Sequence, residues 1–573
     1  MRPISEKTRR AVWPVLACLL AQVAGADTAP VISANSGFQA GPHHQVEGRL
    51  DALGLDSLRD GVVWGRIESQ PGIYDFDRQN QHGIAALIAA GQAGSITIYP
   101  RNPLYESGNT LMGEEGIAAF ARFASELKIR FPQIDTIQVG NEFNSASFQT
   151  GPAREMAPLE RARLHARHLA ALASRPELEG VRILGGSTHS IAAGYVWEVL
   201  DAGGAAHMDA VAVHPYTTPA EHIPGEMAVL RRHPEMAGLE IEATEFGTTD
   251  IDAAPDLFWR NYCMMAMAGV RRAVWYSLET RGDGYAAVLG EDFGLTPVGR
   301  ALMLAHEEAQ GREVEPFRPD PYTYGCRFGP ELAVLWGERR EVQMLDDGIE
   351  LLTGALDPIA GPPVLNPQRV LVLRAPGGAV DPYADLVLGP HDLRADSYHE
   401  FERPVAGGRA VDRDTVGFDR YVIRDGRMYD LSTCPGQQAP GTPWRPYLCN
   451  ADLPRFVLKP EDFTLGGPVS LVHRYNPAEA GALMVEVEIG MHRISRSGVG
   501  VALQVDGHPH ERRVVEQGAE RLVFGPFEAR PGAPVHIVID SNDDPGGDIG
   551  TLRIRVRDAG PAIAPMGPGL APT

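Results

Sequence analysis

The sequence predicts an α/β fold: a (β/α)8 TIM barrel followed by β-sandwich accessory domains. Three observations carry that reading. From Ala29 to about Gly311 short β-rich runs alternate with helical stretches, which favours a parallel sheet with helices outside it. The strand runs number eight, and a barrel of eight such units takes about 250 residues. After Gly311 the texture changes to short apolar runs separated by Pro- and Gly-rich turns, as in all-β domains.

The expected barrel strands are Val31 to Ser36, Ser57 to Trp64, Ser95 to Pro100, Thr136 to Gly140, Val181 to Gly185, Ala210 to Val213, Leu239 to Glu245 and Arg272 to Ser277. Each is a short run rich in β-branched or other apolar residues and bounded by turn formers. Between them lie helical patterns such as Gly116 to Leu127 and Leu159 to Ala173, whose apolar positions recur three and four apart.

A first accessory β-rich domain is expected over residues 312–444, where Leu332-Ala333-Val334-Leu335-Trp336 and Val370-Leu371-Val372-Leu373 read as strands. A second, over 445–559, contains Leu483 to Ile489 and Val535 to Asp540; it suits a carbohydrate-binding jelly roll and a purely structural sandwich equally, because aromatic residues are sparse there. The tail, 560–573, is rich in Pro, Gly and Ala and is expected to be disordered.

Residues 1–26 have the layout of a secretory signal peptide. Arg2, Lys7, Arg9 and Arg10 precede an apolar run from Ala11 to Val23, and Ala24-Gly25-Ala26 offers a small-residue exit. A lipoprotein-like site at Val15-Leu16-Ala17-Cys18 is the weaker reading, since the apolar run continues past Cys18. The run is also short for a transmembrane span, so the mature chain is expected to be exported, periplasmic or extracellular, with no membrane segment.

With 74 acidic against 52 basic residues the net charge is -22, which repels nucleic acid and anionic membranes. In an oxidising compartment Cys434 and Cys449 are an expected disulfide, because they flank a Pro- and Gly-rich loop that such a link would close. Cys263, in an apolar helical run, reads as a small buried hydrophobe, and the cysteine spacing carries no metal signature. Neither a metal nor an organic cofactor is expected.

Two glutamates hold the chemistry. Glu142 ends the run Val139-Gly140-Asn141-Glu142, and Glu245 ends Ile241-Glu242-Ala243-Thr244-Glu245. A carboxylic acid and a carboxylate facing each other across a sugar are what glycosidic cleavage needs: one protonates the departing oxygen, the other captures or stabilises the oxocarbenium-like centre. Arg59, Asn141, His214, Tyr216 and Trp275 also fall at expected C-terminal strand ends, the face on which barrels assemble their sites. Side chains alternate along a strand, so Glu242 points away from the face of Glu245 and reads as a structural ion-pair member.

The order of motifs resembles the clan A glycoside hydrolases, and among them family 39 and its bacterial exopolysaccharide-linked relatives. The residues that carry it are Leu58-Arg59-Asp60 with Trp64 and Ile67 to Phe76 beyond; Gly140-Asn141-Glu142; His214-Pro215-Tyr216; Thr244-Glu245-Phe246-Gly247; and Trp275-Tyr276-Ser277-Leu278, with Phe293-Gly294-Leu295 further on. The resemblance covers about half of the chain. It implies a retaining mechanism on a polysaccharide or oligosaccharide, with Glu142 as acid/base and Glu245 as nucleophile.

It also implies that Asn141 hydrogen-bonds a sugar 2-hydroxyl and that a neutral His214 ring meets substrate or nucleophile. Arg59 suits either orientation of Glu245 by charge-assisted hydrogen bonds or a purely structural salt bridge, and Trp275 either offers a flat face for a sugar ring or packs in the core. Trp64, Glu68 and Tyr216 are further candidates. An ionised Glu245 nearby is expected to raise the Glu142 carboxyl so that it stays protonated. The alternatives are a transglycosylase with the same residues, or a non-catalytic carbohydrate-binding protein of the envelope or matrix.

Overall fold

The computed structural model describes residues 28–37, 53–55, 57–77, 93–405, 417–492, 494–542 and 544–560. The expected signal peptide and all but the first residue of the expected tail lie outside these. Among the described residues no helix is long and apolar enough to cross a membrane.

Eight parallel strands close into a barrel: β1 (Val31–Asn35), β2 (Ser57–Val62), β3 (Ala93–Ile98), β4 (Ile134–Val139), β5 (Arg182–His189), β6 (Ala210–His214), β7 (Glu240–Phe246) and β8 (Val270–Trp275). Each pairs with its neighbours in sequence and β8 returns to β1, with Val31 opposite Arg272 and Ala34 opposite Trp275. All eight expected strands are present, with bounds that coincide or shift by up to four residues. The largest shift is in β5. A bulge over Gly185 to Thr188, with Ser187 at φ 47°, lets the strand run on to His189 where the pattern Gly185-Gly186-Ser187 reads as its end.

The outer layer includes α1 (Glu114–Arg130), α2 (Pro158–Ala173), α3 (Ala193–Asp201), α4 (Ile223–Leu230), α5 (Ala254–Met267) and α6 (Pro297–Glu308). Proline occupies the first turn of α2, α4, α5 and α6, where its missing N–H costs nothing. Thr296 caps α6 by accepting from the Gly299 N–H at 3.1 Å. In α1, Ile117, Phe120, Phe123, Ala124 and Leu127 lie three and four apart and are buried against the barrel.

Two smaller sheets follow. A five-stranded antiparallel sheet contains Thr323–Phe328, Leu332–Gly337 and Leu371–Arg374, and a three-stranded one contains Arg340–Met344 and Leu386–Leu388. Ala333 and Leu335 join the core beside the three-stranded sheet, whereas Val334 and Trp336, on the opposite face, join the core of the barrel. Burial on both faces explains the uninterrupted apolar run in that strand. Cys263 of α5 is not an isolated hydrophobe: it is bonded to Cys326 of this sheet, closing a separation of 63 residues. Neither partner's sequence surroundings pointed to the other, because the pair is brought together by packing of α5 against the sheet.

An eight-stranded and a six-stranded sheet stack around a separate core that includes Val485, Phe524, Ile537 and Ile554. Pairing in the larger sheet runs across residue 444, since the strands Ser432–Cys434 and Tyr447–Cys449 are adjacent and Leu393–Asp396 pairs with Ile549–Asp558. Cys434 and Cys449 are bonded to each other.

Candidate active site

Arg59 from the middle of β2 and the C-terminal ends of β4, β5, β6 and β7 converge on one buried polar cluster. Asn141 and Glu142 follow β4 directly, and Glu142 takes a left-handed backbone conformation at φ 42°, rare for a residue with a side chain. One ligand-type atom each from Glu142, His214 and Glu245 lie within 4.8 Å of one another, so the two carboxyl groups share a pocket.

Glu245 is held from two sides. Nη1 of Arg59 donates to its Oε1 at 2.6 Å, and the Tyr216 hydroxyl donates to its Oε2 at 3.2 Å. The Arg59 guanidinium is itself fixed, donating from Nε to Gln138 at 3.3 Å and from Nη2 to Oδ1 of Asn141 at 2.9 Å. Arg59 is 3% exposed, so its charge is weakly screened and directed at the carboxylate. Burial, then the charge on Glu245, pushes the Tyr216 phenol well above its ordinary range, so it remains a donor.

Glu142 has a different environment. Nδ1 of His189 and Nδ1 of His214 both lie 3.1 Å from its Oε1. On its other side the His214 ring meets Oγ1 of Thr244, again at 3.1 Å. Burial raises the Glu142 carboxyl, but hydrogen bonds from the two imidazoles outweigh it and bring the group down to about 2. This is the opposite of the expected upward shift. The two imidazoles, and not the neighbouring carboxylate, set the direction.

Six of the expected site residues therefore come together: Arg59, Asn141, Glu142, His214, Tyr216 and Glu245. The two tryptophans do not. Trp275 is fully buried; its Nε1 donates to the Ala286 carbonyl at 2.8 Å and its ring packs edge-on against Phe246 and Phe258. It presents no face to a ligand. Trp64 is 2% exposed and stacks between Tyr105 and Phe123, under the loops rather than at the cleft. An aromatic at a strand end packs inward as readily as outward, and spacing does not distinguish the two. Glu68 accepts from the Gly72 N–H, the Asn102 amide and the Tyr105 hydroxyl, which makes it a brace for those loops. Glu242 pairs with Arg182 at 3.0 Å and Arg272 at 3.6 Å.

Several neighbours escaped the sequence reading. His189 did so because the β5 bulge hid the true end of its strand. Tyr285 lies edge-on to both Tyr216 and Tyr276, giving three partly exposed phenols on the Glu245 side. Trp444, from the C-terminal sandwich, meets the His189 ring on the Glu142 side. No local signal marks a residue that arrives from another domain.

The Glu142, His214 and Glu245 atoms are close enough to hold a metal ion. Arg59 already occupies Oε1 of Glu245 with a full positive charge, which opposes a second cation there.

No protein-family model matches the chain, and no curated protein matches it. Solved structures do. A family 39 glycoside hydrolase from Bacteroides cellulosilyticus WH2 is 16% identical over 61% of this chain and 81% of its own, with a TM-score of 0.49. A family 39 β-xylosidase from Caulobacter crescentus is 17% identical over 62% of this chain and 98% of its own, at 0.44. A family 30 subfamily 8 xylanase from Clostridium acetobutylicum is 13% identical over 62% and 98%, at 0.43. Likeness at this level is one of fold alone.

Proposed function

We propose that the protein is a retaining glycoside hydrolase acting on a polysaccharide or an oligosaccharide by double displacement. The observation that carries this is the approach of Glu142 and Glu245 to within 4.8 Å in one buried pocket. Retaining pairs stand about 5 to 5.5 Å apart, whereas inverting pairs leave about 6.5 Å or more for a water molecule.

In the first step the Glu245 carboxylate, aimed by Arg59 and Tyr216, attacks the anomeric carbon while the Glu142 proton passes to the leaving oxygen. An ester to Glu245 forms and the glycosidic bond breaks. In the second, Glu142 takes a proton from water, the water oxygen attacks the anomeric carbon, and the Glu245 carboxylate departs. Asn141, whose Oδ1 accepts from Arg59, donates its amide to the sugar 2-hydroxyl.

The low Glu142 carboxyl must rise for it to act as an acid. His189 is the more exposed of its two partners, at 31% against 0% for His214. Substrate entering on that side dehydrates the carboxylate and competes with His189, and both effects raise the group. The two disulfides suit an exported chain, since such bonds persist outside the reducing cytosol.

The same residues would serve a transglycosylase, which differs in keeping water from the ester. The test is the first-formed product on a polysaccharide panel, followed by NMR, with Glu142→Gln and Glu245→Gln as controls. Retained anomeric configuration in the wild type and loss of turnover in both variants are expected. Inverted product, or full activity in either variant, overturns the assignment.

A further inference from the structure

The loop that carries Trp444 belongs to the C-terminal sandwich, is closed on itself by the Cys434–Cys449 disulfide, and is anchored to the barrel on both sides of the tryptophan. Before it, Oε1 of the buried Gln437 accepts from the Asn144 amide at 2.7 Å, and the Gly436 carbonyl accepts from the Gly194 N–H at 2.9 Å. A Cβ on Gly194 would stand 2.4 Å from that carbonyl oxygen, so the approach requires glycine at 194. After it, Arg445 is 3% exposed and its Nη1 lies 3.5 Å from Oε1 of the fully buried Glu226.

The indole between these anchors is nonetheless 38% exposed. Its ring centre lies 5.0 Å from that of His189, nearly perpendicular to it, and His189 contacts Glu142. Asn144 couples the two: it accepts from the His189 N–H at 2.9 Å and donates to the His189 carbonyl at 3.1 Å and to Gln437. An indole anchored on both sides and left open beside a polar site offers a flat face, and the C–H face of a sugar ring fits it.

We infer that Trp444 is the platform for the sugar on the leaving-group side of the cleaved bond. The substrate is then a chain with at least one sugar beyond that bond, not a glycoside of a small non-sugar. The inference rests on Glu142 being the acid/base, because that residue defines the leaving-group side.

The test compares wild type, Trp444→Ala and Trp444→Phe on xylo-, cello- and manno-oligosaccharides and on the matching 4-nitrophenyl glycosides, with Glu142→Gln as control and thermal unfolding to verify the fold. For the oligosaccharide that is cleaved, Trp444→Ala raises KM about tenfold, the upper range for one aromatic contact, and Trp444→Phe recovers most of the loss. The KM change on the nitrophenyl glycoside is several-fold smaller. Equal changes on both substrate types, or no change on the oligosaccharide, overturn the inference while an inactive Glu142→Gln leaves the glycosidase reading standing. Wild-type turnover by Glu142→Gln overturns both.

Discussion

Nη1 of Arg59 stands 2.6 Å from Oε1 of Glu245, and the same guanidinium reaches Gln138 and Asn141. One buried cation thus sets the position of the proposed nucleophile and of the residue beside the proposed acid. Lysine has a charge but not the planar fork that serves three acceptors. Arg59→Met is expected to lower kcat/KM by about a hundred- to a thousandfold, and Arg59→Lys by less, in steady-state assays on whichever glycan is cleaved. Unchanged kinetics in Arg59→Met would remove it from the site.

His189 holds Glu142 down. Removing one of two hydrogen bonds to the ionised carboxylate raises that group, so the alkaline limb of kcat/KM, which reports the acid, moves to higher pH in His189→Ala. A pH–rate profile of the variant checks this, and a limb that stays put or moves down contradicts it.

The same shift has a consequence for stability. A carboxyl at about 2 in the fold, against 4.5 ordinarily, favours the folded state above pH 4.5 and loses that contribution as pH falls from about 4.5 towards about 2. Glu142→Gln has no such group to titrate. Denaturation midpoints taken across that window should fall less steeply in the variant than in the wild type.

The Cys263–Cys326 bond ties α5 to the sheet that covers it. Closing a loop of 63 residues restricts the unfolded chain by roughly 4 kcal/mol. Replacing both cysteines by serine should lower the urea midpoint, and the effect should exceed that of the same change at Cys434 and Cys449, which span only 15 residues and roughly 3 kcal/mol. Identical midpoints in wild type and variant would show that α5 is held by packing alone.

The barrel could be read from the sequence because each strand is a short apolar run between turn formers, and runs of that kind announce themselves locally. The largest error is at β5, where the bulge mimics a strand end, and His189 was lost with it. Arg59, Glu142 and Glu245 could be found because strand ends of a barrel meet at one face whatever the intervening chain. Trp275 and Trp64 show the limit of that logic, since which way an aromatic turns depends on the volume left by Phe246, Phe258, Tyr105 and Phe123. The state of Glu142 was also hidden, because it depends on two imidazoles rather than on the neighbouring carboxylate. Trp444 and the Cys263–Cys326 pair depend on how the later sheets pack against the barrel and its helices, and no spacing in the chain encodes that.

The most direct test of the paired-carboxylate account is to trap the ester. Protein that cleaves a given glycan is incubated with the matching 2-deoxy-2-fluoro glycosyl fluoride, digested, and examined by tandem mass spectrometry. The account predicts one added sugar, carried by the side chain of Glu245, with activity lost in step with labelling. A label on another residue, or steady hydrolysis with inverted product and no label, would contradict it.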